Sequence, residues 1–210
     1  MTPALPPPLR RWLGLTALLA ALVVAALAIL YAGDGEPGGV DAPISTALEK
    51  AGPGWHDVAL TVDFLGEPLG SALLVGAVLT GCLLLRWPRA ALLVLASVGV
   101  SVVTATLLKH VVGRTIHGPD NLSYPSGHTA FLTALALSVA LIAAGRLGLG
   151  RTAGLALVLG AALAAGATMG WAQITLGAHY PTDVLGGCCT ALTATPATAW
   201  TLDATRHGRR

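Results

Sequence analysis

From Lys109 to His128 the chain reads KHVVGRTIHGPDNLSYPSGH, a polar, turn-rich stretch set between two apolar runs, Ala90 to Leu108 and Thr129 to Gly145. Each run is uncharged and has about the 17 to 25 residues that carry a helix across a hydrocarbon layer. Four more such runs lie outside this pair: Trp12 to Ala32, Leu69 to Leu85, Thr152 to Ile174 and Val184 to Leu202. The expected fold is all-α, a polytopic membrane protein with six transmembrane helices. Six spans place both termini on one side.

Composition points the same way. Of 210 residues 54% are hydrophobic and only 10% charged, and the mean hydropathy is +0.73, whereas a soluble domain carries roughly a quarter of its residues charged. Disorder is excluded, because it requires low hydrophobicity and high charge. A net charge of +2, dispersed along the chain, excludes nucleic acid as a partner class. Cys82, Cys188 and Cys189 all sit in apolar runs, where a thiol acts as a small hydrophobe.

Orientation follows from the basic residues, since Lys and Arg in short loops stay on the cytoplasmic side. Arg10, Arg11, Arg86, Arg89, Arg146, Arg151, Arg206, Arg209 and Arg210 fall on one side of the six spans; Lys50, Lys109 and Arg114 fall on the other, with every acid except Asp203. Both termini are therefore expected in the cytoplasm. Trp12 to Ala32 is too long for the apolar core of a secretory signal and is read as a span.

The chain reads as a single domain, 1–210, whose core is 69–202. Residues 33–68 form an extracytoplasmic loop rich in Gly, Pro and acids. Ile44 to Glu49 offers a short helix with Ser45 as its cap. The spacing of Trp55, Val58, Ala59, Val62 and Leu65 predicts an interfacial helix, with His56, Asp57 and Asp63 turned away from its apolar side.

In this topology Lys109 ends the third span, His128 opens the fourth and His179 precedes the sixth, so they converge on the outer face. Polar groups kept at helix ends of a membrane protein are functional candidates. Lys109 and Arg114 supply fixed positive charge suited to phosphate oxygens. Ser126 and Gly127 precede an expected helix start, where free NH groups and the helix dipole favour an anion. His128 and His179 can divide the tasks of acid and nucleophile, and Asp183 lies four residues after His179, where a carboxylate can hold one ring nitrogen and leave the other free. A metal-binding or transport protein is the rival class, on His110, His117, His128, His179, Asp120 and Asp183. Lys109 and Arg114 would repel a divalent cation, and a transporter places such groups near the bilayer midplane.

With Pro125, Ser126, Gly127 and His128 as PSGH, His179 and Asp183 within HYPTD, and Lys109 before them, the chain resembles the type 2 phosphatidic acid phosphatase superfamily. The likeness covers roughly Leu69 to Leu202. That family carries the pattern KxxxxxxRP, PSGH and SRxxxxxHxxxD, and two of its arginines are missing here: their places fall on Ile116, followed by His117, and on Gln173, preceded by Ala172.

The resemblance implies a metal-independent lipid phosphatase or pyrophosphatase of the cell (plasma) membrane, multi-pass, without cofactor, its active site on the extracytoplasmic side. His179 would be the nucleophile that forms a phosphohistidine, Asp183 its orienting group, and His128 the acid for the leaving lipid oxygen and then the base for water. Lys109, Arg114, Ser126, Gly127 and Gln173 would hold the phosphoryl group. The partner implied is a phosphorylated lipid. Polyprenyl (undecaprenyl) pyrophosphate ranks first, phosphatidate or phosphatidylglycerophosphate next. The missing arginines leave a catalytically silent member that binds lipid phosphate as the alternative.

Overall fold

The computed structural model describes residues 3–50 and 52–207. A 3-10 turn, Pro7–Leu9, leads into α1 (Arg10–Leu30); α2 (Asp41–Glu49) and α3 (Pro53–Asp63) follow; then come α4 (Pro68–Leu84), α5 (Pro88–Val112), α6 (Gly127–Arg146), α7 (Arg151–Thr175) and α8 (Pro181–His207). No strand occurs among the described residues, where pairing is limited to an isolated bridge between Thr115 and Leu122. Prolines open α3, α4, α5 and α8, a position where the missing NH costs nothing. Ser126 caps α6 with its hydroxyl on the Thr129 amide. Gly113, at φ 66°, ends α5 in the left-handed conformation that glycine adopts without strain.

The six expected spans coincide with α1 and α4 to α8, but they are not equivalent. By length and apolarity Pro7–Leu30, Pro88–Val112, Gly127–Arg146 and Arg151–Thr175 can each cross a membrane, and Gly54–Asp63 with Pro68–Leu84 passes only as a pair bent by 57°. Alone, α4 has 17 residues, about 25 Å of helix against a hydrocarbon core of about 30 Å. Helix α8 is long enough but not apolar enough to be counted with them. It packs against α1, α5, α6 and α7, Thr190, Thr195 and Thr198 are buried, and Thr190 and Thr193 donate to carbonyls of their own helix. A central helix needs small, internally satisfied side chains more than lipid-facing ones.

Leu5, Leu9, Leu13, Leu137, Leu141 and Val158 form the main core at one end of the bundle. There Asp203 accepts from the Ala4 and Leu5 amides and pairs with Arg10 and Arg89, which brings the start of α1 and the end of α8 to the same end. Arg209 and Arg210, which entered the orientation argument, lie outside the described residues. Of the small residues along α7, Gly154 packs on Leu9 and Gly166 on Cys188, while Gly160 faces open space.

Two local expectations are corrected. The short helix begins at Asp41, not near Ile44, and Ser45 lies inside it; Asp41 also accepts from the Gly38 amide through its side chain, which steadies the earlier start. Helix α3 exposes Trp55 and Val58 but buries Ala59, and Trp55 meets Trp171 edge-on. Asp63, however, turns inward, because α3 packs on α7 and the Gln173 side chain of α7 donates to it.

Candidate active site

The site lies at the opposite end from Asp203, where the start of α6 meets the start of α8. Gly187 makes the meeting possible: a Cβ there would stand 2.4 Å from the Ser126 carbonyl oxygen. One turn earlier the Asp183 carbonyl accepts from the Ser126 amide at 2.9 Å. The Asp183 carboxylate folds back on its own turn, accepting from the Tyr180 amide through Oδ2 at 3.0 Å. That same oxygen is 3.6 Å from His179 Nδ1.

His179 is held by its backbone, whose amide donates to the Gln173 carbonyl at 3.3 Å, and its side chain is only 8% exposed. Burial pushes its pKa below the ordinary histidine value; the charges of Lys109 and His128 push the same way, against Asp183. The shift favours the neutral ring, the form a nitrogen nucleophile requires. It lines a cavity of about 230 Å³ shared with Ala42, Ser45, Ile116, His117 and Tyr180. His117, at φ 59°, reaches Gly177 O through Nε2 at 2.8 Å, which ties the α5–α6 loop to the α7–α8 loop.

Arg114 takes a different place from the phosphate contact expected of it. Its side chain is fully buried, with Nη1 donating to Asp183 Oδ1 at 2.7 Å and to Thr182 Oγ1 at 2.6 Å, and Nη2 donating to Asp41 Oδ2 at 2.7 Å. Asp41 also accepts from Thr182, through the amide and the hydroxyl. The guanidinium is stacked between Tyr31 and Tyr180, 4.0 and 4.5 Å from their ring centres. Burial alone would lower its pKa, but Asp183 and Asp41 outweigh that and raise it. Arg114 therefore acts on Asp183. A planar fork between two carboxylates suits arginine and not lysine.

The remaining expected residues surround this centre. Lys109 Nζ donates to the Leu122 carbonyl at 2.8 Å, Ser126 caps α6, and Gly127 opens that helix. Gln173 is buried with its amide on Asp63. His128 Nε2 is sheltered and has no hydrogen-bond partner, standing 3.7 Å from Asp63 Oδ1 and 3.6 Å from Glu67 Oε1. The elbow between α3 and α4 is moulded on this ring, since a Cβ on Gly66 would lie 2.1 Å from His128 Cδ2. Among the described residues, Asp63, Glu67 and His128 are the group that could hold a metal ion, their ligand atoms lying within 4.8 Å of one another.

Asp41, Thr182, Tyr31, Asp63 and Glu67 were missed in the sequence. Thr182 lies within the HYPTD string and Glu67 follows Asp63 at helical spacing, the two signals that could have pointed to them. Nothing local distinguishes Asp41 from the other acids of 33–68.

The family model described as PAP2 superfamily matches residues 90–206. A crystal structure of the first transmembrane PAP2 type phosphatidylglycerolphosphate phosphatase from Bacillus subtilis is similar, with a TM-score of 0.67 at 19% identity, over 93% of this chain and 98% of that one. LpxE of Aquifex aeolicus is similar with a TM-score of 0.56 at 18% identity, over 77% of this chain and 95% of that one. No curated protein sequence matches significantly.

Proposed function

This chain belongs to the PAP2 superfamily, and on that footing we propose that it is an integral membrane phosphatase hydrolysing a lipid phosphate or diphosphate through a phosphohistidine. The observation that carries the reading is the placement of a buried His179, Nδ1 3.6 Å from a carboxylate, Asp183, itself held by Arg114. With Nδ1 turned to Asp183, Nε2 is the nitrogen left to react.

In the first step the lone pair of His179 Nε2 forms a bond to phosphorus while the bond from phosphorus to the lipid oxygen breaks. That oxygen keeps the bonding electrons and takes a proton from His128. Asp183 stabilises the charge that develops on the His179 ring. In the second step water attacks phosphorus, His128 takes its proton, and the nitrogen–phosphorus bond returns its electrons to His179. Lys109 and the amides at the start of α6 would face the phosphoryl oxygens, where preorganised donors are worth most. No step needs a metal.

In the same reading the chain crosses the cell membrane six times, α4 and α8 included, with both termini cytoplasmic and the site extracytoplasmic. The gathering of Arg10, Arg89 and Asp203 at the end away from His179 supports this orientation. The test is phosphate release by the detergent-purified protein and its His179→Ala variant, with chelator present, from polyprenyl diphosphate, phosphatidate and phosphatidylglycerophosphate. Release that needs His179 and survives the chelator is expected. No release from any of the three would favour a silent lipid-phosphate-binding protein.

A further inference from the structure

Two carboxylates stand where the reaction above requires a leaving group to depart. Asp63 Oδ1 and Glu67 Oε1 lie 3.7 and 3.6 Å from His128 Nε2, and His128 is the group that would protonate the leaving oxygen. An oxygen in hydrogen-bond reach of either nitrogen of that ring must depart within about 6 to 9 Å of both carboxylates. Salt screens such distances incompletely, the Debye length being about 8 Å at physiological ionic strength.

The carboxylates are fixed there by the fold. Gln173 donates to Asp63, and Gly66 seats the elbow directly on the His128 ring. Of the positive groups nearby, Arg114 is enclosed by Asp41 and Asp183, and Lys109, whose ammonium donates to the Leu122 carbonyl, is assigned in the proposed reaction to the phosphoryl oxygens and not to the leaving group. With His128 carrying the proton it donates, two carboxylates face one cation, and once that proton has left with the leaving group both negative charges stand uncompensated.

Resting on the proposed phosphohistidine reaction, we infer that Asp63 and Glu67 set substrate class, favouring lipid monophosphates, which release a neutral alcohol, over lipid diphosphates, which release an anion. Hydrolysis of a monoester expels an alcohol that carries no charge past the two carboxylates. Cleavage of a diphosphate at its terminal phosphorus expels a lipid monophosphate, whose charge is repelled by both. A leaving group bearing an ammonium would be attracted. This reverses the ranking that placed a polyprenyl diphosphate first.

The test uses one polyprenyl tail carrying either one phosphate or two, in the same micelles with chelator present. The quantity read is the ratio of kcat/KM for diphosphate to that for monophosphate, compared between the full-length protein and its Asp63→Asn/Glu67→Gln variant. Intrinsic leaving ability cancels in that comparison. The ratio is expected to rise about tenfold in the double variant, as removal of two like charges at such distances predicts, and to rise partly in Glu67→Gln alone. Glu67 is 51% exposed, so the single variant remains readable if the double one folds poorly. Added salt should shift the ratio of the unmodified protein upward relative to that of the double variant. A ratio that stays constant or falls in both variants overturns the inference. An unmodified protein that releases phosphate from neither polyprenyl lipid, nor from phosphatidate or phosphatidylglycerophosphate, overturns the phosphohistidine reading, and the selectivity with it.

Discussion

Asp41 and Asp183 grip the same guanidinium from two sides, each 2.7 Å from a different terminal nitrogen of Arg114. Asp41 comes from the short helix α2 and Asp183 from the first turn of α8, so the pair links the segment between α1 and α3 to the carboxylate that faces His179. A buried charge between two partners is costly to disturb. Arg114→Ala leaves two unpaired buried carboxylates and is expected to lower stability by about 3 to 5 kcal/mol, read by thermal unfolding in detergent. Arg114→Lys should recover less than half of that loss, because an ammonium cannot bridge both acids in one plane. Full recovery by lysine would show that only the charge matters.

Asp41 is a positioning residue, and Asp41→Asn separates that role from mere packing. With Asp41 neutral, the whole charge of Arg114 falls on Asp183, which then supports a cationic His179 less well. We expect kcat to fall about tenfold, in line with loss of an orienting contact beyond the reacting shell, with KM little changed. Equal losses in kcat and in folded protein would mean a structural role alone.

The pH profile gives a second check. His179 must be neutral to attack, so kcat/KM should rise with pH through its pKa, which burial, Lys109 and His128 place below the ordinary value of 6.5 despite Asp183. The acid limb should therefore lie below the ordinary histidine range. Asp41→Asn should move it lower still, since a more neutralised Asp183 raises the His179 pKa less. A limb at or above the ordinary value would contradict the buried, neutral nucleophile.

His179→Ala should remove turnover and the acid-labile phosphoenzyme together. His128→Ala should slow formation of that intermediate by about 10² to 10⁴, most for lipids with poor leaving groups. Gly66→Ala tests the elbow by geometry: its Cβ would press on His128 Cδ2, so the ring or the elbow must move. The expected signature is a lower kcat on poor leaving groups with the unfolding temperature almost unchanged. Wild-type kinetics in Gly66→Ala would show an elbow free to shift.

Gln173 bonds Asp63, which changes what an arginine at this position would do. Gln173→Arg alone should pair with Asp63 and alter the inhibition constant of inorganic phosphate less than about threefold, whereas Gln173→Arg with Asp63→Asn should lower it about tenfold, as a new charge-assisted contact would. Equal effects in the two backgrounds would mean that Asp63 does not hold the side chain at 173.

The apolar runs by themselves determined the helices, and the PSGH and HYPTD strings determined which side chains gather at one end. Both are local: a run of uncharged residues in lipid must satisfy its own backbone, and residues at ends of neighbouring helices meet whenever the helices pack. The sequence also misled where contacts are long-range. Arg114 reads as a phosphate ligand because spacing shows proximity to Lys109 but not the presence of Asp41, whose identity as a partner depends on how α2 folds across α8. Asp63 reads as solvent-facing because the period of α3 marks an apolar side without showing that α7 offers Gln173 opposite. Only the tertiary structure decided these pairings, since a buried charge is placed by the partner that compensates its desolvation, and that partner can come from anywhere in the chain.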